Sequence, residues 1–548
     1  MKKTILCLAV ACYCFTAFKP GRESETGISP DSAAIKEINA RGFSRHIGFL
    51  ASDEFQGRKP FTVGETKSIN YLEAQFRQLG LKPGNGNSYF QEVPMIEIKS
   101  VPDRRMIFKG QGGQVTADYL TGFVAGTKRV EPKVSLTNSS LVFAGYGIVA
   151  PEFKWNDYAG LDVRGKTVVV MINDPGFADS TLFRGKNMTY YGRWTYKFEE
   201  AARQGAAGIL IIHDTAPAAY PWSVVRSGWS KSKLQAEEKD NNRSRAAVEG
   251  WISLDIAKQL LKLSGQSETI LANASKPGFK AVDLKLQTSL NITNTIKRSV
   301  SNNVVAILPG TKRPKENIIY SAHWDHLGVG EKVNGDSIYN GAVDNATGVA
   351  ALLELASAFQ KAVHRPERSI VFVSFTGEEQ GLIGSEYYAR HPVYPVSQTV
   401  ADINMDMMGI AGKTKDIVIY GYGQSELEDY AEVSARKQGR VIVKDPVPSS
   451  GLYYRSDHFN FAKVGIPSLF TGSGVDNVLH GREWGLKQVA DYTKSRYHAP
   501  GDNAEAITDY TGMVEDTRLL FDLGYRLSQQ TTFPKWKSGS EFKAVREK

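Results

Sequence analysis

The sequence predicts an α/β fold: a central mixed sheet with helices on both faces, forming a three-layer sandwich, joined to a separate β-rich unit. Two observations carry this reading. From about residue 303 onward, apolar strand-type runs alternate with helical periodicities, the pattern of a sheet flanked by crossover helices. Between about 130 and 290 the chain instead shows short β-type runs, the mark of a unit with its own core. At 548 residues the chain exceeds one typical core, which fits more than one domain.

Taken in order, residues 66–81 place Ile69, Leu72, Phe76 and Leu79 at helical spacing and end at Gly80. A polar, glycine-bearing stretch follows at 108–126, after which the pattern changes. Runs at 140–143, 167–172 and 208–212 read as strands, with a helical piece at 196–204 before the last. Beyond residue 303, strands are expected at 304–308, 317–320, 369–375, 400–405, 417–420 and 467–470. Helices are expected at 347–362, near Ser385 and at 511–527. The polar, lysine-rich tail after Phe533 reads as frayed. The expected division is 1–18 an export signal, 30–125 the first part of the main domain, 126–292 the inserted unit, 293–530 the main domain proper and 531–548 a polar tail.

Hydrophobic residues at 41% and charged residues at 23% describe an ordinary globular chain and exclude wholesale disorder. The net charge of +9 comes from 67 basic and 58 acidic residues, spread without a basic run or a basic–aromatic alternation. No nucleic-acid partner is expected. All three cysteines, Cys7, Cys12 and Cys14, fall in an opening that reads Met-Lys-Lys followed by an apolar stretch to about Phe18. That is the pattern of a secretory signal, too short for a transmembrane span, and Cys12 after Ala9-Val-Ala11 is a possible lipid anchor. Export to the periplasm or the exterior is expected, and no disulfide framework braces the body.

Five segments place an acidic residue or a histidine just beyond an apolar run. They hold His323 and Asp325, Asp344, Glu378 and Glu379, Asp406, and His498. In an open α/β sheet, ligands bind beyond the carboxyl ends of strands, where His323, Glu378, Glu379 and Asp406 fall. Paired glutamates at a strand end repel unless positive charge is close, and a metal supplies it; one can then ligate while its neighbour takes a proton from water. Asp406 interrupts an apolar run, where a charge is costly unless paired or ligated. Asp325, two residues from His323, is placed to accept the other ring N–H of that histidine. His326 competes for the His323 position. Asp502 follows His498 in the same loop. Rival chemistry is absent: there is no H-E-x-x-H and no G-x-S-x-G, and Gly412-Lys413-Thr414 lacks the first glycine of a phosphate loop, having Met407 there.

In this order, the segments resemble those of the secreted two-zinc aminopeptidases, most specifically in 376–385 (Thr-Gly-Glu-Glu-Gln-Gly-Leu-Ile-Gly-Ser) and 344–350 (Asp-Asn-Ala-Thr-Gly-Val-Ala). The resemblance covers about 303–527, and 130–290 looks like a protease-associated domain. It implies two Zn2+ ions, one held by His323 and Asp406, the other by Glu379 and His498, with Asp344 bridging. Glu378 matches the general base, Tyr497 the oxyanion-stabilising tyrosine and Asp325 the carboxylate behind His323; Asp502 is added as a supporting carboxylate. A cis peptide is implied at Asp344-Asn345. The implied activity is removal of N-terminal residues from peptides. A dipeptidase or carboxypeptidase of the same family, and a metal-dead binding protein on the same scaffold, are the alternatives.

Overall fold

A computed structural model describes residues 32–547. The expected signal at 1–18 and Cys12 lie outside the described residues. Among those described, no helix is long and apolar enough to cross a membrane.

The main domain is built on a mixed sheet. Strand Arg313–His323 sits at its centre, parallel to both Arg368–Phe375 and Thr399–Met405, and Ser468–Ser473 adds in parallel beyond the latter. Asp416–Ile419 closes one side antiparallel, with Val441–Lys444 parallel outside it. The other side is the end of a long strand, Val282–Leu308, antiparallel to Arg368–Phe375. Every residue of Arg368–Phe375 is buried, as expected of a strand covered on both faces. Ile370 and Phe372 point into one helical layer, formed by Ala40–Leu50, Thr347–Lys361 and Thr511–Gln529. Val371, Val373 and Phe375 point into the other, with Tyr388 and Phe461. Strand alternation thus feeds two separate cores from one sequence run. The fold is the expected α/β sandwich with a mixed sheet.

The second unit has its own cores and is less purely β than expected. Parallel strands Thr167–Met171, Gly208–His213 and Val248–Ser253 pack against helices Trp194–Arg203, Trp222–Trp229 and Leu254–Leu263.

Two boundaries move. The polar stretch at 108–126 carries strands: Phe123–Gly126 pairs with Val248–Ser253, and Gly113–Asp118 with Arg105–Gly110, so the second unit starts well before residue 126. The expected join at 292/293 falls inside Val282–Leu308. This strand pairs early with Lys133–Phe143, then with Phe90–Pro102, and last with Arg368–Phe375, so one continuous strand serves both units. The tail is docked rather than frayed. Trp536 and Phe542 are buried in an aromatic cluster with Tyr453, Tyr454 and Phe459.

Candidate metal centre

Parallel register brings three ligand segments to one sheet edge. His323 is the last residue of its strand and lies opposite Phe375; Ser321 lies opposite Asn404. Glu378, Glu379 and Asp406 therefore emerge beside His323. The fourth segment, Gly341–Thr347, leads into helix Thr347–Lys361 with Asp344 and Asn345 in non-helical conformations and a cis peptide between them. Asn345 ties this turn to the Asp406 segment. Its amide donates to the Met405 carbonyl at 3.0 Å, and its side-chain oxygen accepts from Gly348 at 2.9 Å and Met407 at 3.3 Å. Gly348 makes that approach feasible, because a Cβ there would lie 2.4 Å from both Asn345 Oδ1 and the Met405 carbonyl.

The five expected ligands converge. His323 Nε2 lies 3.3 Å from Asp344 Oδ1 and 3.3 Å from Asp406 Oδ1. On the other side of Asp344, Oδ2 lies 3.3 Å from His498 Nε2, which is 3.1 Å from Glu379 Oε2. The two oxygens of Asp344 thus face two different histidines. Donors about 3.3 Å apart are spaced like adjacent corners of a tetrahedron with bonds of about 2.0–2.1 Å, the geometry of zinc. The chemistry fits as well. His323 Nδ1 donates to the Asp325 carbonyl at 3.1 Å, so in the neutral ring Nε2 presents a lone pair to two carboxylates, an arrangement that calls for a cation between them.

Two details differ from the sequence reading. The Asp325 carboxylate is not the nearest acceptor for His323: it stands 3.8 Å from Nδ1, while its Oδ1 accepts the Glu378 main-chain N–H at 3.0 Å. Asp325 therefore holds Glu378 in place through the backbone. His326 does not compete with His323; its Nδ1 contacts Glu379 Oε1 at 2.5 Å, on the opposite side of the cluster. His326, Asp344 and Glu379 themselves form a metal-capable trio, so His326 and His498 both stand against Glu379. Leu452, Tyr454, Arg455 and Ser456 line the cavity over the cluster.

The electrostatics are those of crowded, buried carboxylates. Burial, reinforced by Asp406 and Glu379 and opposed by His323, pushes the Glu378 carboxyl well above its usual range. Glu378 Oε2 is 3.9 Å from His323 Nε2. Burial raises Asp325 to about 8 despite the opposing His323. Burial acts to lower His498, but contacts with Asp344 and Glu379 outweigh it and lift the ring to about 10. Without metal, this site holds protons where a cation would sit. Tyr497 stacks on His498 with ring centroids 3.9 Å apart, and burial raises its hydroxyl.

Two supporting residues, Ser456 and Arg58, carried no sequence signal; a third, Asp502, was expected. Ser456 donates to Asp406 Oδ2 at 2.8 Å and accepts from Asn404 at 2.7 Å. Arg58, wholly buried, donates to the carbonyls of Trp324, Asn340 and Gly341 at 2.8, 2.5 and 2.7 Å, pinning the loops behind His323 and Asp344. Asp502 accepts the N–H groups of Val343 and Asp344, with Tyr492 at 3.3 Å behind it.

Residues 303–520, which contain every one of the expected ligands, match the model of peptidase family M28. Through that stretch the chain is similar to peptidase family M28. It is a zinc metallopeptidase. The chain is similar to a probable leucine aminopeptidase 2 of Aspergillus oryzae, 23% identical over 85% of this chain and 79% of that protein. It is also similar to mouse aminopeptidase NAALADL1, 33% identical over 25% of this chain and 18% of that protein. Among solved structures it is similar to an aminopeptidase from Aneurinibacillus, 20% identical, covering 90% of this chain and 94% of that one at a TM-score of 0.43.

Proposed function

We propose that this protein is an exported aminopeptidase that removes N-terminal residues from peptides with a pair of zinc ions. One observation carries the reading: Asp344 faces His323 with one carboxylate oxygen and His498 with the other, both at 3.3 Å. That supports His323, Asp344 and Asp406 as one ligand set and Asp344, Glu379 and His498 as the other. When bound, the ions supply Lewis acidity, lowering the pKa of water and drawing charge from a substrate carbonyl.

The chain's own residues do the rest. Glu378, held through its main-chain N–H by Asp325, is placed to accept the proton of the attacking water and return it to the leaving amine. Once the cluster holds cations, the carboxylates that keep Glu378 protonated are offset and it can work as a base. Tyr497 contributes a phenolic O–H towards the oxyanion. The carboxylate-rich centre attracts a free α-amine, which favours an aminopeptidase over a carboxypeptidase. The second unit is proposed as a protease-associated domain, and export rests on the pattern of residues 1–18.

The test has two parts. Metal analysis of the purified chain should return two zinc ions per molecule, and a single ion would instead favour a one-metal reaction on the same scaffold. Glu378→Ala should keep both ions and lose turnover on a free-amine peptide by at least about 100-fold. An N-blocked twin cleaved as fast as the free-amine peptide would overturn the aminopeptidase assignment.

A further inference from the structure

The metal centre opens on a cavity of about 660 Å³ whose far wall belongs to the second unit. That size suits a short peptide rather than a folded chain. The floor carries Asp344, Glu378, Glu379 and Asp406. Trp194, Tyr220 and Trp229, from the second unit, line the cavity as well. Two arginines also line the cavity: Arg193, the residue capping helix Trp194–Arg203, and Arg455, in the loop after Leu452–Tyr454.

Several other cations in the second unit and around this cavity have partners, while Lys128, Lys231 and Lys233 also line its wall. Lys463 faces Glu199 at 3.7 Å, Arg245 pairs with Glu249 at 3.0 Å, and Arg184 pairs with Glu541 at 2.9 Å. Among the described residues, neither Arg193 nor Arg455 makes an ion pair or a side-chain hydrogen bond. The Arg193 Nε is buried with no acceptor at all. The titratable groups that act on Arg193 are Arg455, Tyr220 and Tyr454, none of them an anion at neutral pH; burial and Arg455 bring its guanidinium down to about 10. Arg455 in turn acts on Tyr497, at the metal centre. A buried guanidinium donor without an acceptor is costly, and with a second unpaired guanidinium on the same cavity wall the two are ready to receive an anion. A guanidinium fork is well suited to a carboxylate.

The cavity therefore offers the carboxylates of the metal centre and, from two other segments, guanidinia without a counter-ion, with Tyr497 in the same wall. A zwitterionic peptide placed with its amine at the metal end turns its carboxylate towards the arginines. We propose that Arg193 and Arg455 form a subsite for a carboxylate on the leaving-group side of the scissile bond, so that the enzyme prefers short peptides, dipeptides above all. This rests on the aminopeptidase reading. The carboxylate has two sources, the C-terminus of a dipeptide or an acidic side chain in the second position of a longer peptide.

Both sources are tested on the metal-loaded full chain by comparing matched substrates: Leu-Leu against Leu-Leu-amide, and Leu-Asp-Ala-amide against Leu-Asn-Ala-amide. The expected result is a preference of at least tenfold in kcat/KM for a charged partner, carried mainly by KM, which collapses towards one in both Arg193→Gln and Arg455→Gln. Preference in the first pair alone assigns the subsite to the C-terminus, and in the second pair alone to the side chain. Arg455 is exposed, so its variant separates loss of the subsite from misfolding. A wild-type ratio near one in both pairs, or a ratio kept in both variants, overturns the proposal. Should no peptide be cleaved, the aminopeptidase reading fails instead. Calorimetric binding of Leu-Leu and Leu-Leu-amide then decides the subsite: tighter binding of the free acid, lost in the variants, upholds it, and equal binding overturns it.

Discussion

The carboxylate of Asp502 accepts the main-chain N–H groups of Val343 and Asp344 at 3.0 and 3.1 Å, while its own carbonyl accepts from Ala342 at 3.0 Å. One buried side chain thus organises the turn that presents Asp344 to both histidines. The cost of burying Asp502 is visible in its carboxyl, which burial raises above its usual range against the pull of those N–H groups.

Asp502→Ala should weaken zinc binding by about 10–100-fold, the usual loss when a residue that orients a ligand is removed. Leaving the two N–H groups without an acceptor should also lower stability by about 1–3 kcal/mol. Chelator competition measures the first and thermal unfolding the second. Zinc affinity equal to that of the unaltered protein would show that the turn holds itself.

Glu354 supplies a pH dependence away from the metal. It lies on helix Thr347–Lys361, accepts the Asn39 N–H at 3.0 Å and stands 3.7 Å from His46 Nε2. Burial, strengthened by Glu37 and opposed by Asn39 and Arg45, raises its carboxyl to about 7 from 4.5. The folded state therefore binds more protons than the unfolded state between these values, and stability falls as pH rises through the window. His46, held down to about 4 by burial and Arg45, acts in the opposite direction below pH 6.5. Glu354→Gln removes only the first effect. Its stability relative to the unaltered protein should therefore rise from pH 5 to pH 8, and urea unfolding at the two values measures this. A constant difference would show that Glu354 ionises freely.

Trp536 tests whether the tail is part of the fold. Its indole is buried, donates to the Gly465 carbonyl at 2.9 Å and meets Phe542 at 5.2 Å between centroids. Trp536→Ala should cost about 3–5 kcal/mol in chemical unfolding. Tyr454 belongs to the same cluster and hydrogen-bonds Glu541 at 2.7 Å, so the loop bearing Arg455 should loosen too. A loss well below 1 kcal/mol would mean that the tail contributes little.

The sheet was legible because buried strands announce themselves as apolar runs, and the run at Arg368–Phe375 is wholly buried as read. The residues now gathered at its edge were legible for the same reason: a charge or imidazole just past such a run must emerge where strands end. The unit boundaries were not. A shared strand such as Val282–Leu308 leaves no linker composition to read, and a polar tail conceals two aromatic anchors. Nor was Arg58, whose contact with Gly341 spans 283 positions, or Ser456, 50 positions from Asp406.

By itself, the order of residues determined an α/β sheet and which acidic and imidazole side chains stand at the carboxyl ends of its strands, because periodicity and burial are local properties of the chain. The tertiary structure alone decided that Asp344 faces two histidines, that His326 sides with Glu379, and that Arg193 comes from another unit to line the same cavity as Arg455. Those are distances between segments far apart in sequence, and they come into being only when packing closes the intervening loops.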